Sequence, residues 1–287
     1  MPINPEAVGT VSGPVTNEWN SRDSLLYAVG VGAGQDPLDS RELPFTTENS
    51  NGVTQRALPT MAVVLPTTSG AYANIGSFNP AMLVHGEQSV TWHRELPVAG
   101  SITSTTEITA IWDKGKGAVV EATTRALMAD QPLFDLVMSV YIRGEGGWGG
   151  ERGPSGARNV APDREADHSI GVQTRPEQAL LYRLTGDRNP LHSDPTFAAM
   201  AGFDRPILHG LCTYGFAGRA LLHAFAGSDP ARMRSIEGRF ASPVMPGEGL
   251  TVRAWDQGDG DAVFNVAGGD GRIVIDAGHI TFDPPTE

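Results

Sequence analysis

The segment Leu184-Thr185-Gly186-Asp187-Arg188-Asn189-Pro190-Leu191-His192-Ser193-Asp194 gathers groups able to position and deprotonate a water molecule. Aspartate with histidine is a common general acid/base pairing, because burial and mutual contact can set their proton affinities near neutrality. Asn189 precedes Pro190, which biases its backbone toward extended conformations and disfavours a helix through the segment. Asp187 and His192, five residues apart, are therefore expected on a bent loop where they can face one another. An Asx-type turn at Asn189-Pro190, with His192 packed as a polar spacer, would account for the same composition. Downstream, Pro206-Ile207-Leu208-His209-Gly210-Leu211 puts Gly210 at the first turn of an apolar helix. Unpaired N–H groups and the helix dipole there favour a developing oxyanion, although a glycine that merely permits close packing fits as well.

The elements that must position this loop occur twice. Ser24-Leu25-Leu26-Tyr27 opens an apolar stretch in the first half, and Ala179-Leu180-Leu181-Tyr182 does the same in the second, 155 positions on. Leu96-Pro97-Val98-Ala99-Gly100-Ser101-Ile102 is paralleled by Ser242-Pro243-Val244-Met245-Pro246-Gly247. Each Pro-Val turn leads into β-branched, alternating runs: 102–112, 118–129 and 133–143 first, then 250–255, 262–266 and 272–282. These predict antiparallel strands joined by Gly-bearing turns such as Lys114-Gly115-Lys116-Gly117 and Gly258-Asp259-Gly260. The run 208–225 is apolar almost all round and must be a buried helix. A duplicated α+β chain follows, each half a sheet wrapped around a long helix. Gly144-Glu145-Gly146-Gly147-Trp148-Gly149-Gly150 and the polar run after it predict a flexible connection. The expected division is residues 1–145, a linker over 146–165, and 166–287.

Applying the same offset sets Gly32 opposite Asp187, Gly34 opposite Asn189 and Pro37 opposite His192, so only the second repeat carries the acid/base groups. Gly30-Val31-Gly32-Ala33-Gly34 follows a helical stretch and lacks a surrounding βαβ unit, which excludes a dinucleotide-binding reading.

With 287 residues, 40% hydrophobic and 19% charged, the chain can bury a substantial core. A net charge of -12 argues against nucleic acid or an anionic membrane as a partner. The lone Cys212 and the absence of a basic-then-apolar leader predict a reducing, cytoplasmic setting. Cys212 stands alone and the seven histidines are scattered, so no metal is expected. Lys114 and Lys116 are the only lysines.

Taken together, Tyr182-Arg183-Leu184-Thr185-Gly186-Asp187-Arg188-Asn189-Pro190-Leu191-His192, Ala201-Gly202-Phe203 and Pro206-Ile207-Leu208-His209-Gly210 resemble the signature of the (R)-specific enoyl-CoA hydratases, the hydratase 2 group of MaoC-like proteins. The resemblance spans some thirty residues and implies a double hot-dog fold of two fused repeats. It further implies that Asp187 and His192 hold the nucleophilic water, that Asn189 orients it, and that the Gly210 amide binds the thioester oxygen. Leu83-Val84-His85-Gly86-Glu87-Gln88 is similar to a second family signature near the bound acyl-CoA. By the same resemblance His85, Gly86, Lys114, Arg188, Pro190, Leu191 and Phe240 are expected to contact the substrate. His85 as a core histidine, Lys114 as a solvated turn charge and Phe240 as an ordinary strand residue remain open readings.

The expected reaction is reversible syn hydration of trans-2-enoyl-CoA to (3R)-3-hydroxyacyl-CoA, with long or bulky acyl groups, in fatty acid or steroid side-chain metabolism. Coenzyme A enters as part of the substrate and no cofactor is expected. A homodimer is the expected assembly. The competing readings are an acyl-CoA thioesterase or an acyl-carrier-protein dehydratase on the same fold, and a non-catalytic acyl-CoA-binding subunit. The Asp-x-Asn-Pro-x-His order argues against the first, an acidic surface against the second, and intact Asp187, Asn189 and His192 against the third.

Overall fold

Alternating, β-branched runs form strands wherever one face can be buried, and in the computed structural model, which describes residues 3–67 and 70–284, they all join one sheet. The first repeat supplies β1 (Val15–Trp19), β2 (Leu83–Trp92), β3 (Gly100–Asp113), β4 (Gly117–Met128) and β5 (Gln131–Arg143). The second supplies β6 (His168–Gln173), β7 (Met233–Phe240), β8 (Gly249–Gly258), β9 (Asp261–Gly268) and β10 (Ile273–Phe282). The strand order is β1-β3-β4-β5-β2-β7-β10-β9-β8-β6. Read outward from the centre, both halves follow the same sequence, so the duplication is written into the topology. β2 and β7 pair antiparallel at the middle, from Glu87 opposite Arg239 to Thr91 opposite Ser235.

The helices are α1 (Ser21–Gly30), α2 (Leu43–Thr46), α3 (Gln178–Tyr182), α4 (Pro195–Met200) and α5 (Gly210–Phe225). The tyrosines matched by the 155-residue offset, Tyr27 on α1 and Tyr182 on α3, face each other with ring centroids 6.1 Å apart. Only α5 is long. Tyr214, Phe216, Leu221 and Leu222 on it are fully buried, and each such side chain contributes about 1.5–3 kcal/mol through the hydrophobic effect. Small residues let it approach the first repeat: a Cβ on Gly215 would sit 2.4 Å from Val31, and one on Gly218 would sit 2.4 Å from Thr60. Between β1 and β2 the first repeat has instead α1, α2 and a 3-10 turn over Pro59–Val64 that packs on α5. Pro59 and Pro66 bracket that segment, and proline restricts helix extension from either side. Against the expectation of a long helix in each half, among the described residues the long central helix occurs in the second repeat and not in the first.

The connection expected to be flexible is fastened. Asp113 accepts hydrogen bonds from the N–H groups of Gly115, Gly147 and Gly149, each at 2.8 Å, and these donors, Gly147 first, hold its carboxyl down at about 2. Arg158 pairs with Glu87, and Asn159 donates to Glu237 and to the Ala277 carbonyl. The glycines allow this because their backbones can turn through positive φ and come close to a carboxylate.

Candidate active site

Gly186 leaves the 3-10 turn Arg183–Thr185 with φ 141°, a conformation that side chains resist, and so aims the following residues away from α3. The Asp187 carboxylate then accepts the Asn189 N–H at 3.1 Å. Asn189 in turn accepts the Leu191 N–H at 3.0 Å, capping the 3-10 turn Pro190–His192, with Pro190 at its first position. The Asx turns expected from the sequence are present, and they bend the loop so that Asp187 and His192 converge.

His192 is buried, and its Nδ1 lies 2.9 Å from the Ile207 carbonyl. A carbonyl can only accept, so Nδ1 carries the proton and Nε2 is left as an acceptor. His209, only 1% exposed, donates from Nε2 to the Asp187 backbone carbonyl at 3.1 Å. The two imidazoles stack with centroids 3.8 Å apart at 29°, and Tyr182 covers His209 from a centroid distance of 4.9 Å. Desolvation lowers the His192 pKa, against the opposing effects of the Ile207 bond and the Asp187 charge. Desolvation and then the neighbouring His192 push His209 down to about 3. Both rings are therefore neutral at neutral pH.

The sequence pointed to scattered histidines, but the fold brings two of them together: ligating atoms of Asp187, His192 and His209 lie within 4.8 Å of one another. His209 is the functional candidate that sequence reasoning passed over. It sits in the same segment as Gly210, yet nothing in its spacing distinguishes it from a core histidine.

His209 occupies the position before α5, with no capping hydrogen bond from its side chain, and Gly210 begins the helix. The Phe240 ring closes over this point, since a Cβ on Gly210 would lie 3.1 Å from the ring. His85 on β2 meets Phe240 edge-on at 4.8 Å, across the central β2–β7 pair. Desolvation holds its pKa at about 4, while the Asp187 charge acts to raise it. Gly86 marks a register shift in β2, where a Cβ would press on the Ser139 carbonyl at 3.3 Å. Thus Asp187, His192, Gly210, Phe240 and His85 form one assembly. Arg188 and Asn189 are exposed on the loop, and Leu191 is half-buried. Lys114 is engaged elsewhere, its ammonium donating to the carbonyls of Arg152 and Pro154 in the inter-repeat segment.

A cavity of about 520 Å³ opens beside Gly186 and Asp187 and runs into the first repeat, past Val64, Leu136 and Met138 to Trp19 and Asn17.

Family models match both repeats: that of the MFE-2 hydratase 2 N-terminal domain covers residues 17–144, and that of the MaoC like domain covers residues 158–276. A 3-hydroxyacyl-thioester dehydratase of Mycobacterium tuberculosis is 48% identical over 98% of this chain and 99% of its own length. The chain belongs to the MaoC-like dehydratase family. An enoyl-CoA hydratase of the same organism is 44% identical over 90% of this chain and 91% of its own. The solved structure of a MaoC-like dehydratase from Phytophthora capsici superimposes with a TM-score of 0.87 at 36% identity, over 98% of both chains. The fold is accordingly the double hot dog. In this MaoC-like dehydratase family member the C-terminal match contains the whole Asp187–His192 loop and α5, while the N-terminal match contains His85 and much of the cavity wall.

Proposed function

We propose that the protein hydrates trans-2-enoyl-CoA thioesters reversibly to (3R)-3-hydroxyacyl-CoA. The observation that carries this reading is the buried, neutral His192 beside the Asp187 carboxylate, at the head of a cavity and next to the N-terminus of α5. The Asp187/His192 pair takes a proton from water as its oxygen attacks C3. Enolate charge then gathers on the thioester oxygen, where the Gly210 N–H and the helix dipole meet it. The pair returns the proton to C2 from the same face, so the atoms balance between water and substrate and no cofactor takes part. Asn189 spends its side-chain oxygen on the Leu191 N–H, which leaves its amide nitrogen to orient the water.

The acyl chain lies in the cavity of the non-catalytic repeat, which suits long or bulky acyl groups of the kind met in fatty acid or steroid side-chain breakdown. The exposed Arg188 beside Asp187, without an ion pair among the described residues, supports a contact with a phosphate of coenzyme A. The free, buried Cys212 is compatible with a reducing cytosol. The sheet ends at β1 and β6, whose outer backbone groups offer edges for a homodimer. Among the described residues, no helix is long and apolar enough to cross a membrane.

The test is incubation with crotonyl-CoA while following enoyl absorbance and free thiol. Loss of absorbance without thiol release supports hydration; thiol release would mark a thioesterase.

A further inference from the structure

The cavity beside Asp187 is not walled as a sleeve for a plain alkyl chain would be. Gln88, Thr106 and Thr124 line it alongside Leu136 and Met138, and each of the three is only 3% exposed. They belong to the inward face of the first repeat's sheet. Thr106 stands opposite Thr124 across β3–β4, Thr124 opposite Leu136 across β4–β5, and Gln88 opposite Met138 across β2–β5. Thr106 and Thr124 share one cross-strand row with Leu136 and Val90, and Gln88 lies in the adjacent row with Met138, Ala122 and Ile108, so the three make a polar patch on an otherwise apolar face. Buried hydroxyl and amide groups are costly unless they find partners.

The partners supplied by the protein fall short. Thr106 and Thr124 share one hydrogen bond of 2.8 Å. Two hydroxyls carry two protons, and a single bond between them spends one. No further hydrogen bond to either hydroxyl is found among the described residues. Gln88 directs its amide nitrogen to the Ser89 and Val137 carbonyls at 2.9 and 3.4 Å, which fixes that side chain in place. Near the Asn17 and Trp19 end, Glu18 and Asp23 also line the cavity, so an acyl group ending in a carboxylate would meet like charge.

We infer that the cavity is shaped for an acyl group bearing a neutral oxygen, a hydroxyl or a carbonyl, part-way along its chain, and that the Thr106/Thr124 pair recognises that oxygen. The unspent threonine proton is donated to it, and a substrate hydroxyl can in turn donate to a threonine lone pair. This assignment rests on the acyl-CoA reading of the site, though not on the hydration step itself.

The experiment is therefore an equilibrium binding measurement by titration calorimetry with saturated, unreactive thioesters. Decanoyl-CoA is compared with decanoyl-CoA analogues carrying one hydroxyl at each carbon from C7 to C10, and with the ω-carboxy analogue. The wild-type protein should bind at least one hydroxylated analogue about tenfold more tightly than decanoyl-CoA, the scale of one well-made hydrogen bond, and the ω-carboxy analogue more weakly. A Thr106→Val/Thr124→Val protein removes both members of the bonded pair at nearly constant shape, a change that folded proteins tolerate, and should lose the preference for the hydroxylated analogue. Equal or weaker binding of every hydroxylated analogue by wild type, or a preference that persists in the double variant, would overturn the inference. Failure of crotonyl-CoA hydration would count against the hydratase reading alone.

Discussion

His209 holds both members of the proposed acid/base pair: its ring stacks on His192 at 3.8 Å and its Nε2 donates to the Asp187 carbonyl at 3.1 Å. It also stands immediately before the helix that Gly210 begins. A residue in this place positions the pair without touching the reacting atoms. His209→Ala should lower kcat by about 10- to 100-fold, in the range of lost general acid/base efficiency, with little change in KM. His209→Gln, which can keep an N–H directed at Asp187, should recover part of the loss. Steady-state kinetics of the two variants check this, and a change confined to KM would contradict it.

The histidine pKa shifts fix a pH dependence for activity and for stability. Activity needs a neutral His192, whose pKa is lowered by burial. The acid limb of kcat/KM should therefore fall below the ordinary histidine value of about 6.5. For stability, His85 and His209 have folded-state pKa values of about 4 and about 3. The unfolded chain then binds more protons below about 6.5, so their stabilising effect is complete above that pH and is lost as pH falls toward 4 and 3. Chemical denaturation across pH 3–8 should show this decline beginning near 6.5, and His209→Gln should shallow it.

The Phe240 ring lies where a side chain on Gly210 would point, and the working part of Gly210 is its amide. Gly210→Ala keeps the amide but pushes the Phe240 ring, 3.1 Å from the added carbon. It should cut kcat/KM by about tenfold, and adding Phe240→Leu should restore most of that, as coupled neighbours do. Additive losses in the double variant would mean that the two residues act separately.

Lys114 fastens the inter-repeat segment through the carbonyls of Arg152 and Pro154. Lys114→Ala should lower the melting temperature by a few degrees, about 1 kcal/mol for lost charged hydrogen bonds at a surface site, with KM for crotonyl-CoA unchanged. A raised KM at constant stability would return Lys114 to a coenzyme A contact.

Much of the fold was legible because periodicity reports which face is buried. The strands after each Pro-Val turn and α5 emerged within a few residues of their observed ends. β1 and β6 are short edge strands whose five and six residues give too brief a pattern to stand out, and β7 carries Arg234, Glu237 and Arg239 among its apolar residues. The flexible reading of Gly144–Gly150 missed a tertiary effect, because glycine-rich composition says nothing of the Asp113 carboxylate that collects those amides. Asp187, His192 and Gly210 could be singled out as candidates by residue type and spacing. His209, His85 and the Thr106/Thr124 pair could not be weighed that way, since their importance depends on which side chains the sheet brings face to face.

The central claim is that the Asp187/His192 pair delivers water and proton to one face of the enoyl thioester. The most direct measurement is chiral chromatographic analysis of the 3-hydroxyacyl-CoA formed from crotonyl-CoA, run beside Asp187→Asn and His192→Ala proteins that unfold at the wild-type temperature. The account predicts a (3R) product from wild type and turnover lowered at least about 100-fold in each variant. A (3S) product, or turnover that survives both substitutions, would contradict it.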